Sequence, residues 1–321
     1  MVTDIQNFTQ RVLEQTEKII VGKQQQIRLV LMAVLADGHV LLDDLPGVGK
    51  TTLIKTLSRA LGCNFGRIQF VPDLMPSDII GMNIYNQKTG EFELRQGPIM
   101  TNLLLADEIN RAIPRTQSAL LEGMEERQIS IDGESYPLPK PFLVLATQNP
   151  VEAESTFRLP AAQMDRFLIR LSLGYPDHHS EMRMLENLGD RVALEQVEAV
   201  TCATEILAMQ QAAWQVHVSE PVLDYIVSLC EATRNHPQLM VGASPRGSRA
   251  LYKACKVWAA MDGRDFVTPD DVKALVQPVL GHRLLLTAEA RFSGRTAEQV
   301  LTEILSATPV ELGAEALLHE L

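Results

Sequence analysis

The segment Leu41 to Thr52 constrains this chain more than any other. It reads Leu-Leu-Asp-Asp-Leu-Pro-Gly-Val-Gly-Lys-Thr-Thr: the end of an apolar strand, a glycine-containing turn, and the start of a helical run that ends near Leu61. Gly47 and Gly49 let the backbone curl so that its N–H groups face an anion at a helix N-terminus, where the helix dipole also favours negative charge. The pattern is nearly GxxxxGK[ST], the phosphate-binding loop. In that arrangement Lys50 reaches the β- and γ-phosphates of a nucleotide, and the Thr51 hydroxyl lies on Mg²⁺. The segment expected to cradle the phosphates is Pro46, Gly47, Val48, Gly49, Lys50, Thr51 and Thr52. Asp44 stands at the position of the first glycine. Aspartate tolerates turn conformations better than most residues, so the loop geometry is expected to survive.

Two later strands end in polar groups that suit the same site. Leu103-Leu104-Leu105-Ala106 runs into Asp107-Glu108, and acids at the carboxyl end of a strand point into the crevice where α/β sheets bind ligands. Asp107 is expected to hold Mg²⁺ through water, and Glu108 to polarise the attacking water. Leu145-Ala146-Thr147-Gln148-Asn149-Pro150 supplies Asn149, which could orient that water from the next strand. Taken singly, an acid pair often caps a helix and Asn-Pro usually marks a turn. The three elements in series point to hydrolysis of a nucleoside triphosphate.

The rest of the chain fits two domains. Up to Pro176, short apolar runs (39–42, 67–70, 102–106, 142–146) alternate with helical segments, the pattern of buried parallel strands covered by helices on both faces. Beyond Pro176 the strand signals fade. Pro221 to Leu229 repeats apolar residues at helical spacing, and Thr268-Pro269-Asp270-Asp271 reads as a cap, a proline at the first helical position and acids in the first turn. The reading is an α/β nucleotide-binding domain over 1–176 and a smaller all-α domain over 177–321. Two segments read as hairpins projecting from the core, about 82–98 and about 127–140, the second marked by Asp132-Gly133.

Composition narrows the function classes. The formal charge of −11 argues against a dedicated duplex-binding surface, which needs clustered Lys and Arg. The first residues carry no basic segment followed by an apolar stretch, and no apolar run approaches the roughly 20 residues that span a bilayer. The four cysteines (Cys63, Cys202, Cys230, Cys255) are scattered and read as buried free thiols of a cytoplasmic protein. A membrane-peripheral role would come through a partner.

Beyond these local readings, Gly47 to Thr51, Asp107-Glu108, Asn149, Met164-Asp165-Arg166-Phe167 and Gly242-Ala243-Ser244-Pro245-Arg246 resemble the AAA+ series of P-loop NTPase motifs. Asp107 to Ala112, Gln117 to Glu122, Tyr85 to Phe92 and Ala146 to Pro150 are similar to the MoxR family, whose group carries an insert in helix 2 and a hairpin before the first sensor. The similarity runs from about Val21 to Leu285. The resemblance implies an αβα core with a helical lid, ATP and Mg²⁺ as ligands, and adenine beside Val21-Gly22. It further implies Asn149 as first sensor, Arg166 as the arginine offered to a neighbouring subunit and Arg246 as second sensor. Arg249, one turn on, rivals Arg246, and Arg111, Arg115 and Arg158 are unranked candidates at the subunit interface. The resemblance also implies a ring of copies, expected to be hexameric, that remodels a partner protein carrying a von Willebrand factor A domain.

Three other classes compete. A GTPase-like switch would need an Asn-Lys-x-Asp run for guanine, which this chain lacks. A nucleic-acid motor on the same core is the main alternative, although no zinc ligands, basic run or DNA-binding appendage stands out. A small-molecule kinase would not need so large a helical domain.

Overall fold

The computed structural model describes residues 2–44, 47–149, 157–186 and 194–310. Two compact units divide it. One comprises Phe8–Phe167 and Leu171–Ala208; the other comprises the chain from Met209 onward, the short piece Leu168–Arg170 and the segment up to Asn7.

The chain opens with α1 (Val2–Glu17) and α2 (Gln24–Leu35), then β1 (Val40–Asp43), α3 (Lys50–Ala60), β2 (Phe65–Gln69) and the short α4 (Pro76–Ile80). There follow β3 (Gly81–Asn86), β4 (Glu91–Gln96), β5 (Leu103–Asp107), α5 (Pro114–Glu126), β6 (Gln128–Ile131) and β7 (Glu134–Pro137). Next come β8 (Leu143–Gln148), α6 (Ala161–Met164), β9 (Ile169–Leu171), α7 (His178–Glu186) and α8 (Ala203–Ala213).

The main sheet has the order β2-β5-β8-β1-β9, and β2–β5, β5–β8 and β1–β8 pair in parallel. Its middle strands carry the continuous apolar runs of the sequence. Leu103 to Ala106 and Leu143 to Ala146 are essentially buried, as strands covered on both faces must be. The parallel register places Gln69 opposite Asp107 and Asp43 opposite Gln148. The polar strand ends therefore sit along one edge of the sheet, where ligands of α/β folds bind. β9 carried no signal in the sequence reading; it is three residues long.

Two hairpins stand beside the main sheet. β3 pairs antiparallel with β4, and β6 with β7, each as a separate two-stranded ribbon. The tip of the first exposes an edge-to-face pair, Tyr85 and Phe92, with ring centroids 5.4 Å apart.

The second unit holds α9 (Glu220–Asn235), β10 (Leu239–Val241), α10 (Pro245–Met261), α11 (Pro269–Leu280), β11 (Leu285–Leu286), α12 (Ala288–Phe292) and α13 (Ala297–Ala307). From Met209 onward the described residues are helical apart from the β10–β11 ribbon and an isolated bridge between His217 and Phe266. Its core gathers Tyr225, Leu229, Leu251, Val272, Leu275 and Leu301. The helix starts are those the sequence marks. Thr268 and Asp271 form a capping box before α11, and Ser244 caps α10 by accepting from the Arg246 N–H.

The units divide near Ala208, later than the 176/177 boundary read from the sequence. The physical reason is a set of backbone ties. Val200 N–H donates to the Ala60 carbonyl (2.7 Å), and the Arg59 guanidinium donates to the carbonyls of Val197 (2.9 Å) and Glu195 (3.0 Å). The loss of strand patterning after Pro176 marked the end of the sheet, not the end of the unit. Among the described residues no helix is long and apolar enough to cross a membrane.

Candidate active site

The phosphate loop leaves β1 and enters α3. Gly47 and Gly49 have φ of 88° and 87°, a left-handed conformation that glycine adopts without steric penalty. Gly49 is the N-cap of α3 and provides no side-chain cap, so first-turn N–H groups are left for an anion. At both glycines the space a Cβ would occupy is open. Lys50 Nζ donates to the Asp44 carbonyl at 3.1 Å, folding the lysine back over the loop. Thr51 lies in the first turn of α3. Pro46 and Pro150 lie outside the described residues.

A cleft of about 460 Å³ opens beside this loop, within the usual size of a ligand pocket. Gly47, Val48, Gly49, Thr52, Val21, Leu173, Tyr175 and Pro176 line it. Of the residues picked out in the sequence, Val21, Gly47, Val48, Gly49 and Thr52 are thus brought to one cavity, while Gly22, Lys50 and Thr51 adjoin its lining in the chain without forming part of it. Gly22 is held at φ 73°, and a Cβ there would strike the Ser180 hydroxyl, so this turn accepts only glycine. Ser180 donates its N–H to Asp177 Oδ1 at 2.8 Å, a bond that holds the Asp177 carboxyl below its ordinary range.

At the ends of β5 and β8 the acids are organised by a residue the sequence reading passed over. The Thr147 hydroxyl donates to Asp107 Oδ1 (2.8 Å) and accepts the Glu108 N–H (2.8 Å). Glu108 has φ 57°, left-handed for a non-glycine residue, and the Thr147 bond helps hold it there. Arg67 Nη2 donates to Asp107 Oδ2 at 2.8 Å, while Gln69 Nε2 and Arg111 Nη1 both donate to Glu108 Oε2 at 3.0 Å. Asn149 follows β8 directly and is 7% exposed. In the sequence Arg67, Gln69 and Thr147 carry only a strand signal, with Thr147 also inside a stretch similar to the MoxR family. The parallel register that sets Gln69 opposite Asp107 was the missing link, and it cannot be counted off within one segment.

The arginines fall in different places. Arg166 follows α6, and its Nη2 meets Glu125 Oε2 of α5 at 2.9 Å. Arg115 and Arg158 are exposed. Arg246 and Arg249 lie in α10 of the second unit, both exposed.

Comparison with known proteins accounts for this arrangement. Residues 39–169 match the ATPase family associated with various cellular activities (AAA), and residues 231–304 match the AAA lid domain. The uncharacterized protein YeaC of Bacillus subtilis is 46% identical over 98% of this chain and 98% of its own. Chaperone MoxR1 of Mycobacterium tuberculosis is 42% identical over 92% of this chain and 80% of its own. The crystal structure of "a putative ATPase" from Cytophaga hutchinsonii superposes with a TM-score of 0.91 at 38% identity, covering 97% of each chain.

The chain belongs to the MoxR family of AAA+ ATPases.

As a MoxR-family ATPase it cleaves the terminal phosphate of ATP, with the lid expected from the sequence present as the second unit. The cysteines need a correction. Cys230 and Cys255 are buried inside α9 and α10, but Cys202 is exposed and Cys63 half-buried, both lying in connecting chain, after α3 and before α8.

Proposed function

We propose that this MoxR-family chain couples Mg²⁺-dependent ATP hydrolysis to remodelling of a partner protein, working in the cytoplasm as a closed ring. The observation that carries the hydrolytic part is the Thr147 hydroxyl bridging Asp107 and the Glu108 amide at the edge of the sheet. Two adjacent carboxylates fixed in different orientations suit two jobs, one toward a metal and one toward water.

The donor set fits Mg²⁺. Thr51 offers a hydroxyl and Asp107 a carboxylate, hard oxygen ligands of the kind that cation takes. No group of three His, Cys, Asp or Glu side chains among the described residues forms a metal cage of its own. An ion shared with the substrate phosphates would neutralise their charge and orient them. Within the chain, Lys50 binds phosphate and Glu108 accepts the proton of the attacking water, while Asn149 orients that water. Arg246 senses the phosphate from the lid.

Ring assembly rests on Arg166. Among the described residues its ion-pair partner is Glu125 on α5, and the family resemblance gives it the role of the arginine offered to a neighbouring subunit. Such an arginine acts on a neighbour's nucleotide, and a head-to-tail contact of this kind closes into a ring, hexameric by the family resemblance. The partner is a protein carrying a von Willebrand factor A domain, and the exposed hairpin β3–β4 with Tyr85 and Phe92 offers apolar side chains toward it.

The test measures turnover with Mg²⁺ and with chelator, together with particle mass of Glu108→Gln loaded with ATP. Turnover insensitive to chelation would remove the metal, and a monomer under saturating ATP would remove the ring. Stimulation by DNA would favour the nucleic-acid motor instead. Capture of a von Willebrand factor A protein on the ATP-loaded variant, absent with Lys50→Ala, is the expected partner result.

A further inference from the structure

Asp44 departs from the phosphate-loop pattern, and its carboxylate accepts hydrogen bonds from three donors. It is 4% exposed. Oδ1 accepts the Ser172 hydroxyl (2.6 Å) and the Gly174 N–H (3.0 Å), and Oδ2 accepts the Leu173 N–H (2.7 Å). The carbonyl of the same residue receives Lys50 Nζ (3.1 Å). Burying a carboxylate is unfavourable unless its lone pairs are satisfied, and a negative charge beside a site for a polyanion adds to that cost. Three hydrogen bonds to an ionised acceptor offset it. A glycine at this position would make none of them.

What these bonds hold is one wall of the cleft. Leu173 and Tyr175 line it, and the segment Ser172 to Tyr175 is gripped from both sides. Asp44 takes its N–H groups, while Lys23 Nζ donates to the carbonyls of Leu173 (2.6 Å) and Tyr175 (2.8 Å). Lys23 also lines the cleft next to Val21. The phosphate loop, the residues around Val21 and the Leu173–Tyr175 wall are therefore joined through two charged side chains.

We propose that Asp44 is a positioning residue that couples the phosphate loop to the nucleoside wall of the cleft, so that the base and the phosphates bind as one rigid unit. This deepens the ATPase reading and rests on the cleft being the nucleoside pocket. Asp44 acts through Leu173, Gly174 and Lys50, not by contact with the substrate.

The experiment compares ATP with inorganic tripolyphosphate, which has the phosphates and no nucleoside, both as competitors of a fluorescent ATP analogue. In Asp44→Gly, ATP should bind at least about tenfold more weakly, while tripolyphosphate changes less than about twofold. Asp44→Asn, with one acceptor oxygen left, should fall between. A merely structural role would weaken both ligands in the same ratio, and that result would overturn the proposal, as would ATP binding unchanged in Asp44→Gly. Hydrogen exchange of the Leu173 and Gly174 amides provides a reading independent of ATP. These amides should be protected in the wild type and lose protection in Asp44→Gly, with Ser172→Ala leaving them protected. Equal protection in all three proteins would also overturn it. Failure of the wild type to bind ATP would count against the ATPase reading, while the exchange data would still decide for or against the Asp44 strut.

Discussion

Arg111 holds Glu108 across one turn of chain, Nη1 to Oε2 at 3.0 Å, and Gln69 donates to the same oxygen from the neighbouring strand. The acid is thus gripped on one oxygen, and under the proposed function Oε1 is the atom that polarises the attacking water. Replacing it by glutamine keeps an acceptor for Arg111 but removes the basic group.

Glu108→Gln should therefore bind ATP within about threefold of wild type and turn it over at under a hundredth of the rate. Lys50→Ala should lose the phosphate contact and with it the affinity. The contrast separates binding from chemistry, as equilibrium titration with a fluorescent ATP analogue and a phosphate-release assay will read. Equal loss of binding in both variants would make Glu108 a structural residue.

Thr147 is fully buried and serves both acids at once. Thr147→Val keeps the shape and removes the hydroxyl, which leaves the Glu108 N–H without its acceptor. A partly buried donor so orphaned costs at most the roughly 1–3 kcal/mol of a buried one, measurable by urea unfolding. Turnover should fall with it, because Glu108 loses the bond that holds its left-handed backbone. Thr147→Ser should restore both. Stability loss without loss of turnover would confine Thr147 to the fold.

How much of this was legible in one sequence depends on the range of the signal. The strand of Leu103 to Ala106 and the loop of Gly47 to Thr51 announce themselves locally, through apolar runs and glycine spacing. So do Thr268 and Asp271, whose capping box needs only four consecutive residues. Thr147, Gln69 and Arg67 carry no such mark. Their roles come from parallel pairing between β2, β5 and β8, partners far apart in the chain. Asp44 was read as a tolerated exception for the same reason, since its partners Ser172 to Gly174 lie beyond any local window. The domain boundary failed differently: residues after Pro176 look helical, yet backbone bonds such as Val200 to Ala60 tie them to the first unit.

The thiols provide a pH-dependent test. Burial, and then the nearby Cys202, push the Cys63 thiol up to about 11. Burial also raises Cys230, and Cys255 well above its ordinary value. Alkylation of the folded protein at pH 8 should modify exposed Cys202 first and leave the other three largely intact, as peptide mass mapping will show. The sign for stability follows from the raised folded value. The unfolded Cys63 ionises near 8.5, about its free value, so the unfolded state sheds its proton first. The contribution is fully present below that pH and is lost as pH rises toward about 11. Cys63→Ser should flatten the fall of unfolding free energy over that window; an unchanged slope would remove Cys63 as its source.

Arg166 makes the most demanding prediction, because its work is assigned to another copy of the chain. Within its own chain it pairs with Glu125 at 2.9 Å, both side chains about one-third exposed (29% and 34%), and a pair so open to water contributes little to stability, about 0–1 kcal/mol. Arg166→Ala should accordingly fold and bind ATP, yet hydrolyse it roughly a thousandfold more slowly, the scale for removing an arginine that stabilises charge in the transition state. Glu125→Gln should keep most of the turnover if, as proposed, Arg166 acts on a neighbour's nucleotide and not through this pair. If Glu125→Gln lost activity as Arg166→Ala does, the arginine would be structural. Mixing then separates action within a chain from action between chains. Arg166→Ala offers an intact phosphate loop without the arginine, and Lys50→Ala offers the arginine beside an empty site. Combined, they should recover part of the wild-type rate, and the recovery should rise with protein concentration as mixed assemblies form. A rate equal to the sum of the two variants alone, with mixed assemblies shown by differential mass tagging, would end the assignment of Arg166 to a neighbouring site.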